Sequence, residues 1–166
     1  MPFPNPDDRL RQWRAAFQSH GYRLTAARQA VMRVLAESDR ALDATQILQQ
    51  ARREAPRLGL VTVYRTLEAM LALGLAQKVH CAGQCATYVA AEPGHTHLLV
   101  CRRCGRVWYF SGDDLAGLMQ NVAAESGFQI EDHWLQLVGL CASCRRALAE
   151  KAAPAGADAP CGSFRL

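Results

Sequence analysis

Two cysteine pairs constrain this chain more than any other feature: Cys101 and Cys104 in HTHLLVCRRCG, and Cys141 and Cys144 in GLCASC. A two-residue gap lets both thiolates of a pair reach one cation, and two such turns close a tetrahedral four-sulfur site of the structural zinc type. A lone CxxC would serve equally well as a redox pair. Iron–sulfur clusters take the same ligands, but nothing redox-related accompanies them here. Each pair ends an apolar, strand-like run, so zinc at Cys101, Cys104, Cys141 and Cys144 would clamp a strand over residues 128–138 onto a hairpin of 97–101 and 106–110.

Such a clamp suits the composition. Aromatic residues make up only 7% of the 166 residues, and a small core of that kind needs a metal, a disulfide or a partner subunit. No apolar run is long enough for a membrane span. The N-terminal MPFPNPDDRLRQW has prolines and early acids where a secretory signal needs a basic patch and an apolar stretch. The chain is therefore expected to be cytoplasmic, where seven cysteines point to metal or catalytic use rather than disulfides.

Charge divides the chain in two. Residues 1–90 hold twelve Lys/Arg against seven acids, giving +5, and the remainder holds seven against eight, giving −1. All seven cysteines lie at or after Cys81. A basic module whose only cysteines, Cys81 and Cys85, come at its end, followed by a neutral module carrying the other five, is the natural reading, and a basic module is compatible with a polyanion partner.

Periodicity in residues 1–90 predicts a winged helix-turn-helix domain. Leu10, Trp13 and Phe17 share one helical stripe; Thr25 caps a second helix that buries Ala30, Val31 and Leu35; Asp43 and Gln46 form a capping box for a third. A fourth helix fits VTVYRTLEAMLALG, with Val63, Leu67, Met70 and Leu71 inward, and short strands at 75–79 and 86–90 make the wing. Thr62, Tyr64, Arg65 and Glu68 project away from the apolar stripe. A recognition helix offers such residues to the major groove, although the same pattern also describes a solvated face. Residues 91–150 then read as strand, strand, helix, strand, a small α/β domain able to pair across a two-fold axis. Its helix would bury Leu115, Leu118, Met119, Val122 and Ala123, and residues 151–166 read as a flexible tail. The fold class is therefore α+β.

Further nitrogen and sulfur donors remain. His80, Cys81 and Cys85 lie at the junction of the modules, and His95 and His97, two apart on one strand face, follow nine residues later. Together they form a borderline-soft donor set suited to zinc; alternatively the histidines are solvated and the cysteines are small buried apolar groups. His133 stands apart, and Cys161 lies in the tail, where ordering cost argues against a ligand role. A zinc enzyme would need a base at an open coordination position, and no such signature is present.

The stretches LTAAR (24–28), TVYRTL (62–67), HTHLLVCRRCG (95–105), GF (127–128) and His133 to Cys144 resemble, in this order, the ferric uptake regulator superfamily, and within it the zinc uptake regulators. The resemblance implies a bacterial homodimer with an N-terminal winged helix and a C-terminal α/β dimerisation domain, acting as a repressor on palindromic operator DNA when metal-loaded. It implies structural zinc at the four cysteines of the two pairs, DNA contacts by Tyr64, Arg65 and Arg28, and a further metal site in the dimerisation domain using His133 with His95 and His97. It also implies a hinge cysteine ligand, Cys81 or Cys85. The chain departs from iron-type members at Ala41, where a histidine is usual, in TYVAAE, which lacks a carboxylate before Glu92, and at Ala116, where a glutamate is usual. Loss of hard carboxylates and gain of thiols favours zinc over iron or manganese. The expected function is a zinc-responsive repressor. The alternatives are a peroxide, nickel or iron sensor of the same fold, and a zinc enzyme or zinc-buffering protein that binds no DNA.

Overall fold

The helices that open the chain start where their capping residues stand. In a computed structural model of the protein, which describes residues 5–79, 86–94, 96–111 and 115–152, α1 (Pro6–Ser19) begins at Asn5, whose side chain accepts from the Asp7 N–H. In α2 (Ala26–Glu37) the Thr25 hydroxyl accepts from the Arg28 N–H. The capping box before α3 (Ala44–Ala51) forms in both directions: the Gln46 N–H donates to Asp43 at 2.8 Å and the Asp43 N–H to Gln46 at 3.0 Å. Helix α4 (Leu60–Ala72) starts at Gly59 without a side-chain cap, and Gly74 with φ +65° turns the chain out of it, a conformation that costs a glycine little. Phe17, Val31, Leu35, Ile47, Val63, Leu67 and Met70 from the four helices meet in one fully buried core.

Strands β1 (Leu42–Asp43), β2 (Ala76–Val79) and β3 (Thr87–Ala90) form an antiparallel sheet in the order β1-β3-β2. The expected wing is there, with a two-residue strand that is too short to leave a periodic signal.

Beyond the wing come β4 (His97–Cys101), β5 (Val107–Phe110), α5 (Ala116–Ser126), β6 (Gln136–Gly139) and α6 (Ala142–Ala152). The second sheet has the order β5-β4-β6, with β4 antiparallel to β5 and parallel to β6. The parallel pairing follows from α5, which carries the chain across before β6.

Three expectations need correction here. The strand expected over 128–138 is confined to Gln136–Gly139, and residues 128–135 carry no ladder; apolar alternation breaks at Asp132–His133, where a strand would have to bury charge. Helix α5 forms but buries none of its residues, and Leu118 is 59% exposed, because among the described residues no helix or strand lies over its apolar stripe. Helix α6 was not expected, because ASCRRALAEKA has a weak apolar stripe between basic and acidic residues.

The two regions share a second core. Val79 and Val89 of the wing pack with Leu98, Val100 and Val107 of the second sheet. The opposite face of that sheet aligns Leu99 with Trp108 on one side and Leu137 on the other, and all three are exposed. Among the described residues, no helix is long and apolar enough to cross a membrane.

Candidate metal centre and recognition helix

Backbone geometry converges on the four cysteines. β4 ends at Cys101, and a tight turn returns through Cys104 and Gly105, with the Gly105 N–H donating to the Cys101 carbonyl at 2.8 Å. β6 ends at Gly139, whose carbonyl accepts from the Arg102 N–H at 2.9 Å. This brings Cys141 to the position just before α6 and Cys144 into the helix's first turn. The Arg103 guanidinium donates to the Cys144 carbonyl, tying the two turns together.

The ligand atoms of Cys101, Cys104, Cys141 and Cys144 all lie within 4.8 Å of one another. Tetrahedral zinc about 2.3 Å from each sulfur sets neighbouring sulfurs roughly 3.8 Å apart. Cys104 Sγ and Cys141 Sγ are 3.7 Å apart, far beyond disulfide length. Burial pushes the Cys101 thiol up, but N–H groups of Cys141, Cys104 and Arg103 aimed at its sulfur outweigh that and hold it down at about 6. The Cys144 N–H holds the Cys141 thiol below its ordinary value against burial. At Cys144, burial and then the three other sulfurs push the thiol up to about 12. The thiolate form is thus favoured at Cys101 and Cys141 and disfavoured at Cys144 relative to an ordinary cysteine. A soft divalent cation fits this donor set, and zinc with four thiolates is the ordinary case.

A second concentration of donors lies at the other end of β4. His97 is buried, and its ring lies 5.4 Å from that of Phe110 and 5.4 Å from that of His133. His133 also lines a groove of about 690 Å³ between α5 and the segment before β6, together with Ala116, Met119, Phe128 and Asp132. The structure therefore puts His97 beside His133, and Ala116, where a carboxylate is usual in the resembling family, in the groove next to it. His80, Cys81, Cys85, His95 and Cys161 lie outside the described residues.

In α4, Val63, Thr66, Leu67, Ala69 and Met70 are buried. The helical repeat puts Val61, Tyr64, Arg65 and Glu68 on the opposite side, and all four are exposed. Thr62 is half-buried, and its carbonyl accepts from the Thr66 hydroxyl. Sequence reasoning passed over Val61, which is 66% exposed; its signal was its place two residues before Val63, off the inward stripe. Arg28 is half-buried in the first turn of α2, where its guanidinium donates to the Arg23 carbonyl at 2.7 Å and lies 5.8 Å over the Tyr22 ring.

Residues 19–138 match the ferric uptake regulator family. The ferric uptake regulation protein of Bacillus subtilis is 31% identical over 142 residues, 83% of this chain and 95% of that protein. The zinc uptake regulation protein of Mycobacterium tuberculosis is 32% identical over 126 residues, 75% of this chain and 96% of that one. Among solved structures, a zinc uptake regulator complexed with zinc and DNA aligns at a TM-score of 0.69 and 29% identity, over 87% of this chain and 98% of that chain. The chain belongs to the ferric uptake regulator family, whose members are metal-responsive transcription regulators and not enzymes.

Proposed function

We propose that this member of the ferric uptake regulator family is a zinc-responsive repressor that binds palindromic operator DNA as a metal-loaded homodimer. The observation that carries the reading is the joining, in one chain, of an all-thiol metal cluster to a winged helix whose α4 turns Tyr64 and Arg65 outward. Identity alone does not choose the metal, since iron and zinc regulators match almost equally well. Donor chemistry favours zinc: four thiols gather at one end of β4, and imidazoles of His97 and His133 meet near the other, where Asp132 lines the same groove as His133.

Zinc, when bound, supplies a divalent charge that four thiolates can share. Cys101, Cys104, Cys141 and Cys144 would hold the structural ion and pin β6 and α6 to β4. A regulatory ion would take its donors from His80, Cys81, Cys85, His95 and His97, with His133 set apart in the adjoining groove as a member of a further site. Ligation by these residues would tie the stretch between β2 and β3 to β4 and so limit the angle between winged helix and sheet. The row Leu99, Trp108 and Leu137 and the exposed apolar stripe of α5 are the apolar surfaces a second copy would cover. Two such copies would set two α4 helices on successive major-groove faces of one operator, with Arg65 reaching a guanine edge and Arg28 a phosphate. Domain limits of 1–90, 91–150 and 151–166 accompany this reading.

The experiment is duplex binding at fixed salt against rising free zinc. Binding that appears with zinc and fades with chelation supports the reading; zinc uptake with no duplex bound at any concentration refutes it.

A further inference from the structure

The turn that carries Cys101 and Cys104 does more than present sulfur. Its far side lies against the loop between α2 and β1 of the winged helix, residues 39–41. The Ala41 N–H donates to the Gly105 carbonyl at 2.9 Å, and the Val107 N–H donates to the Asp39 carbonyl at 2.9 Å. Between these two bonds Arg40 and Arg106 form an antiparallel bridge. Asp39 Oδ2 lies 3.4 Å from Arg106 Nε. Gly105 has φ +71°, which strains other residues, and a Cβ there would stand 3.1 Å from the Ala41 carbonyl oxygen, so a side chain would push the loop back by a few tenths of an ångström. Ala41 in turn packs against the core shared by the two regions.

We propose that this turn is the seat on which the winged helix is aligned, and that Asp39, Arg106 and Gly105 are positioning residues for the operator-binding helix. The covalent path leaves no slack: Cys104 adjoins Gly105, and the Cys101 N–H donates to the Arg106 carbonyl at 2.8 Å. A ligand turn fixed by four-thiolate coordination therefore fixes the two residues that hold the loop. The winged helix is gripped again on its α1 side, where the buried Arg9 guanidinium pairs with Glu92 and donates to the Ala36 carbonyl. With both grips in place the range of angles open to α4 relative to the second sheet is narrowed within one chain, before any regulatory ion binds. Four-cysteine coordination thus contributes to the spacing between two recognition helices as well as to stability.

The inference rests on the proposed operator binding for one readout only; the other needs no DNA. The primary variant is Asp39→Arg, which lies on the winged-helix side away from the ligands and sets three cations together with Arg40 and Arg106. Zinc content should match the parent, hydrogen exchange at the Ala41 amide should rise about tenfold or more, and the preference for one half-site spacing over spacings one or two base pairs longer should fall severalfold. Affinity for a single half-site should not change. Adding Arg106→Asp should restore both exchange protection and spacing preference, a rescue that a purely structural loop would not show. Gly105→Asn, which tolerates the positive φ but keeps the intruding Cβ, should reproduce the loss independently. Unchanged Ala41 exchange in Asp39→Arg and in Gly105→Asn, or no rescue by Arg106→Asp, overturns the seat. A parent protein that binds no duplex refutes the functional reading, while Ala41 exchange still decides this one.

Discussion

Helices α2 and α5 are of similar length, 12 and 11 residues, and each carries apolar residues at helical spacing. They end in opposite environments. In α2, Val31, Met32 and Leu35 are inaccessible to solvent, because α1, α3 and α4 supply the layers around them. In α5 nothing is buried, and Leu118, Val122 and the nearby Phe128 face outward. Apolar spacing decides which side of a helix faces the core, but burial also needs an opposing layer. The winged helix carries its own layers. Among the described residues, the α/β region leaves the outer face of its sheet and the stripe of α5 uncovered, and gathers at its strand ends four cysteines able to hold a metal.

That contrast can be broken most severely at the cysteines. Cys101→Ser or Cys141→Ser should abolish tight zinc binding and unfold the second sheet, since structural zinc contributes on the order of 10 kcal/mol in small zinc domains. Circular dichroism should still show the helices of the winged half, and elemental analysis should find the tight zinc gone. A fully folded, zinc-free variant would show that the α/β region stands alone after all. Leu67→Ala reverses the test: a fully buried leucine removed from the helical core should cost about 2–5 kcal/mol in denaturant unfolding while leaving zinc content intact.

Interface changes should come next in size. Trp108→Glu would place a charge in the exposed row of the second sheet, where the account puts the partner copy. Sedimentation should show a shift from dimer to monomer, with an unaltered melting transition for the winged helix. A variant that stays dimeric would relocate the interface. Arg65→Ala should lower operator affinity by about 1–3 kcal/mol if the side chain reads a base, and leave thermal stability within about 0.5 kcal/mol because the side chain is exposed. The smallest effect is expected at the capping box, where Asp43→Ala should cost about 1 kcal/mol of stability and leave metal content and half-site binding as they were.

The contrast also explains what the sequence disclosed. Capping residues Thr25 and Asp43, the stripes of the first four helices and the two CxxC turns are local chemistry, and each led to the right element or cluster. The long strand expected before Cys141 shortened to Gln136–Gly139 because apolar content alone cannot tell a paired strand from a segment held by side chains around His133. The burial expected for Leu118 and Val122 failed for a related reason: the residues that would cover them are not neighbours in this chain. Spacing in sequence placed His97 in the hinge set and, through the family resemblance, with His133; the contact between the two rings depends on the path of residues 127–135, which no local pattern encodes. The seat formed by Asp39 and Gly105 is a contact between distant segments and leaves no periodic trace.

The most direct test of zinc-responsive repression is a two-stage zinc titration of the purified protein, with metal content and operator binding followed in the same samples. Protein first stripped with a mild chelator should retain one tight zinc per chain, remain folded and bind the operator duplex weakly. Further zinc should then occupy a weaker site and raise operator affinity by tenfold or more, in parallel with its occupancy. Full operator affinity with only the tight zinc present, or no gain on filling the weaker site, would contradict zinc-responsive repression.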